Sequence, residues 1–94
     1  MRTLLFSAFL AVSMTFSGLV VSAANAQEGA CLRLWVARNA IYKDNGFCFK
    51  TERAISYFGN DGCTYNYEGD MPMSRHDRAR IARIQAEERE MGCR

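Results

Sequence analysis

The sequence holds one histidine and one proline, and its four cysteines include no closely spaced pair. A solitary His76 leaves little for a histidine-based metal centre or for the general base of a triad. Cys31, Cys48, Cys63 and Cys93 are separated by 17, 15 and 30 residues, whereas structural zinc modules draw ligands from close Cys pairs. Pro72 stands alone, with no Pro-rich or Gly/Ser-rich tract and no internal repeat around it, so nothing divides the chain into two folded domains. Surplus charge is scarce too. The net +2 of the whole chain falls far short of the basic excess of a nucleic-acid binder. The expectation is a protein without metal, organic cofactor or nucleic-acid partner.

The N-terminus carries the layout of a secretory signal peptide. Arg2 precedes an apolar stretch from Leu4 to Val21, and Ala24-Asn25-Ala26 supplies the small residues of a cleavage site. Cleavage behind Ala26 divides the chain into a leader, residues 1–26, and a mature domain, residues 27–94. The apolar stretch is broken by Ser7, Ser13, Thr15, Ser17 and Gly18, which argues against a retained membrane span. Gly29-Ala30-Cys31 ends as a lipidation box does, but Glu28 occupies a position that such a box keeps apolar. The mature part keeps 11 Lys and Arg against 10 acidic residues, and no membrane span is expected in it.

A domain this short buries too little core to be stable on packing alone. All four cysteines lie in the mature part, and an even number in a short exported chain reads as a disulfide framework. Three connectivities are open to four cysteines. The helices set out below favour Cys31–Cys93 with Cys48–Cys63, because antiparallel terminal helices would bring the first pair to one end of the domain.

The expected fold is mainly α: a small three-helix domain with an irregular loop between the second and third helices. Leu34, Trp35, Ala37, Ile41 and Tyr42 recur at helical spacing between Leu32 and Asp44, and Asn45-Gly46 is a stop signal. Phe47-Cys48-Phe49 reads as a short buried connector. Thr51 is positioned to cap a second helix to about Phe58, with Ala54, Ile55 and Phe58 facing inward. Gly59-Asn60-Asp61-Gly62 ends it, and residues 63–73 form the loop, with Tyr65 and Tyr67 hinting at one extended stretch. Ser74 then opens a third helix to Met91, with Asp77 in the capping-box position. Its buried stripe is Ile81, Ile84 and Met91.

The frame Leu34-Trp35, Arg38-Asn39, Ile41-Tyr42, Gly46-Phe47 and Phe49, followed by a short aromatic-ended helix and a Ser-capped helix with paired isoleucines, resembles the YARHG domain. Of the stretch that names that family, Tyr42 and Gly46 are kept, while Lys43, Asp44 and Asn45 replace the middle residues. The resemblance runs from Cys31 to about Glu90. It implies a small extracytoplasmic bacterial domain associated with the cell wall or envelope, in a stand-alone, cysteine-bearing form.

No catalytic set emerges from the residues. Ser74, His76 and Asp77 crowd one helical turn, whereas triad members converge from separate segments. Glu87, Glu88 and Glu90 read as a solvated face beside Arg83 and Arg89. The candidate binding set is Trp35, Arg38, Asn39 and Tyr42 on the first helix, joined by Tyr65 and Tyr67, an aromatic and cationic surface for sugar rings or an acidic polymer. The bland account of the same residues puts Trp35 and Tyr42 in the core, with Asn39 bonded to a loop carbonyl. Two functions follow: a non-enzymatic module binding an envelope polymer, periplasmic or secreted, or a secreted inhibitor or effector acting on a protein partner.

Overall fold

The computed structural model describes residues 23–94, so the leader up to residue 22 lies outside the described residues. Three α-helices make up the fold: α1 (Ala23–Asp44), α2 (Glu52–Phe58) and α3 (Arg75–Glu90), with a single 3₁₀ turn at Glu68–Asp70. The helix α1 starts nine residues before the expected Leu32. Ala23, Ala24, Ala26, Gln27, Glu28 and Ala30 are good helix formers, so the helix propagates backwards through them. Cys31 therefore sits inside α1 and not ahead of it.

Local chemistry sets the other boundaries. The Thr51 hydroxyl accepts from the Ala54 amide, and the Ser74 hydroxyl accepts from the Asp77 amide at 3.0 Å, each satisfying an amide that the first turn leaves unpaired. The α3 helix closes one residue earlier than expected, at Glu90, with Gly92 in the left-handed region. Gly46, with φ of 84°, turns the chain out of α1. A Cβ there would also meet the Tyr65 ring at 3.3 Å, so glycine is required for conformation and for space.

The helices α1 and α3 pack antiparallel. At one end Cys31 is bonded to Cys93, with Cα atoms 5.5 Å apart, and the Gln27 amide donates to the Met91 carbonyl. At the other end the Asn45 amide donates to the Asp77 carboxylate at 3.2 Å. The second disulfide, Cys48–Cys63, fastens the connector before α2 to the loop after it. Around it the Phe47 and Tyr65 backbones form an isolated parallel bridge, and the Cys48 amide donates to the Tyr65 carbonyl at 2.7 Å. Asn60 holds both backbone groups of Phe49 through its side chain.

The core consists of Ile41, Tyr42, Phe49, Ala54, Met71 and Ile81, with Trp35, Phe47, Phe58 and Ile84 packed against it. Met71 is the most deeply buried of them, 2% exposed, although it lies in a segment with no periodic pattern. Ile55 departs from its expected inward position and is 42% exposed. Seven residues make barely two turns, and in α2 the inward arc goes to Ala54 and Phe58, four positions apart.

Candidate functional site

The residues proposed for binding divide between core and surface. Tyr42 is 3% exposed and belongs to the core. Burial pushes its phenol above the ordinary value, nearby Glu68 adds to the rise, and Arg38 works against it. Asn39 is buried as well, but its amide donates to the Trp35 carbonyl one turn back, at 2.8 Å, in place of the expected loop carbonyl. Tyr65 is half-buried and engaged through its backbone in the bridge to Phe47. Tyr67 is 71% exposed, with the Lys50 ammonium 5.9 Å from its ring centre.

Arg38 reaches across to α3. Its guanidinium donates twice to the Glu88 carboxylate, at 2.7 and 3.1 Å, the paired geometry that suits a planar fork and a carboxylate. Hydrogen bonding to Glu88 is the main reason its affinity for the proton is raised, and burial works against that rise. Glu88 is thus a partly buried bridging residue, not the solvated one its charged neighbours suggest. Replacing Arg38 or Glu88 with Ala is expected to cost about 2 kcal/mol of stability each, and the double variant little more than either single one. Denaturant unfolding of the four proteins checks this, and additive losses would mean the pair is decorative.

Trp35 is the residue of the set that keeps a surface role open. It is half-buried, with the Phe58 ring tilted against it at 5.7 Å and the Tyr57 ring edge-on at the same distance. The Arg53 guanidinium lies over the indole at 4.0 Å from its centre. Arg53 and Tyr57 are four residues apart on α2, so they project side by side, and both are exposed. Next to this cluster is an open depression of about 290 Å³. Trp35, Arg38, Asn39 and Tyr42 of α1 form one wall; Lys50, Thr51 and Ala54 form the opposite one; Glu68 stands at its edge.

This arrangement offers apolar ring surface, cationic hydrogen-bond donors and one carboxylate acceptor. Among the described residues no group of three His, Cys, Asp or Glu is placed to hold a metal ion. Ser74 is occupied as a helix cap, and His76 is exposed beside it. Sequence reasoning missed Arg53, Lys50 and Tyr57. Their contact with Trp35 and Tyr67 joins separate elements, and periodicity within one helix cannot reveal it.

The frame around Trp35, Arg38, Asn39, Tyr42 and Gly46 is matched by the model of one known family, the YARHG domain, over residues 14–89. The chain belongs to the YARHG domain family. YARHG domains are small and extracellular, in keeping with a fold that carries two disulfides. No curated protein matches the chain, and no solved structure does. No helix among the described residues of this YARHG domain is long and apolar enough to cross a membrane.

Proposed function

We propose that this YARHG domain is a non-catalytic module of the bacterial cell envelope. It is exported, cleaved behind Ala26, and binds a wall polymer through the face around Trp35. The observation that carries this reading is the Trp35 indole, flanked by Tyr57 and topped by Arg53, at the rim of a depression lined by Arg38 and Lys50. Flat rings offer stacking surface to sugar rings, and exposed cations complement the carboxylates of an acidic glycan. Arg38 supports the wall of the site through its bond to Glu88, which moves the direct contact to Arg53 and Lys50.

The test is sedimentation with purified sacculi. The oxidised protein is expected to pellet with them, and Arg53→Ala with Tyr57→Ala is expected to reduce the retained fraction on the order of ten-fold, at about 0.5–1 kcal/mol per lost contact. Both side chains are exposed, so the melting curve should move little. His76→Ala should bind as the parent does. Protein that stays in the supernatant, or a double variant that pellets undiminished, contradicts the reading. The first result would favour a protein partner.

A further inference from the structure

The charges of α3 are sorted along its length. Its first nine residues include Arg75, Arg78, Arg80 and Arg83 with a single acid, Asp77, while Glu87, Glu88 and Glu90 occupy the last turn. This order runs against the helix dipole, which favours acids at the start and bases at the end. Asp77 is turned toward Asn45, and Glu88 is committed to Arg38. All four arginines are exposed, and none forms an ion pair among the described residues. Arg78 donates only to the Met73 carbonyl, at 3.3 Å.

Helical geometry sets how these side chains can be used. At about 100° per residue, the four arginines fan over more than half of the α3 circumference, all on the side away from buried Ile81. Ala79 and Ala82 lie exposed between them, so no bulky side chain holds the arginines off a flat object. A thin strand would meet two of them at a time, whereas a plane tangent to the outer face can meet all four, because arginine stems are long and bend toward charge. The short cationic zone gives way to acids within three turns, which disfavours a long rod of negative charge.

We infer that the N-terminal half of α3 is a docking surface for a bilayer of anionic phospholipid, engaged peripherally through Arg75, Arg78, Arg80 and Arg83. This surface stands on α3 alone and is independent of the Trp35 face on α1 and α2. Phosphate groups at the membrane surface accept hydrogen bonds from guanidinium in the forked geometry that arginine favours. Neutralising the arginines should also relieve their conflict with the helix dipole, so the surface is separable from stability.

The experiment uses the oxidised protein recovered from cells that export it, mixed with vesicles of phosphatidylglycerol or of phosphatidylcholine. Binding is expected on the anionic vesicles only and should fall steeply as salt is raised. At about five-fold per basic residue near such a surface, R75Q/R78Q/R80Q/R83Q should lose on the order of several hundred-fold in partitioning. That variant should melt no lower than the parent. The control K50Q/R53Q, which removes cations from the other face, should keep its vesicle binding. Equal binding to phosphatidylcholine, undiminished binding by the four-arginine variant, or loss in the control equal to its loss would overturn the inference. So would capture by soluble polyphosphate or short duplex DNA without capture by vesicles.

Discussion

Reducing both disulfides is expected to abolish the cooperative thermal transition of this domain. Cys31–Cys93 closes a loop of 62 residues and Cys48–Cys63 one of 15. On the chain-entropy account they restrict the unfolded state by roughly 4 and roughly 3 kcal/mol. Together these rival the entire stability of a typical small domain, about 5–15 kcal/mol. The effect should be graded. Cys48→Ser with Cys63→Ser should leave a lowered transition, because α1 and α3 stay joined, while Cys31→Ser with Cys93→Ser should cost more. Circular dichroism melts with and without reductant decide it, and superimposable curves would show that the core suffices alone.

Replacing Met71 with Ala is expected to have the next largest effect, a loss of about 3 kcal/mol. The side chain is 2% exposed and belongs to the core formed by Ile41, Tyr42, Phe49, Ala54 and Ile81, so truncation leaves a cavity that α1 and α3, joined by a disulfide, cannot close. In a domain of this size that corresponds to a fall in Tm of more than about 10 °C. Met71→Leu keeps the volume and should cost less than about 1.5 kcal/mol. A melt of Met71→Ala within a degree or two of the parent would mean that the loop carrying it is not anchored in the core.

The contrast between Met71 and the helices shows what could be read in advance. Thr51 and Ser74 announce helix starts through chemistry confined to three residues, and Gly46 announces a stop, so caps and helix order follow from neighbouring letters. The cysteine pairing follows from one further step, the antiparallel packing of the first and last helices. Met71 gives no such signal, because a loop has no period against which one apolar residue stands out. Arg38 and Glu88 are 50 residues apart, and their bond depends on the register of α1 against α3. That register is set by three-dimensional packing. The same holds for Arg53 over Trp35: each residue alone reads as ordinary, and only their meeting makes a face. Ile55 shows the opposite failure, an apolar residue counted inward in a helix too short for its stripe to be determined.

These differences moved the candidate site without removing it. Tyr42 and Asn39 became interior supports, Arg38 became a tie between helices, and the exposed chemistry passed to Arg53, Tyr57 and Lys50 around Trp35. The chain has one tryptophan, and it lies at the centre of this face, half-buried beneath Arg53. Its fluorescence therefore reports on the proposed contact without any label. Titration with soluble fragments of enzymatically digested cell wall is predicted to change Trp35 emission saturably, with the response lost in the Arg53→Ala, Tyr57→Ala double variant. Emission that stays constant while the same fragments demonstrably bind would contradict the account and place the contact on another face.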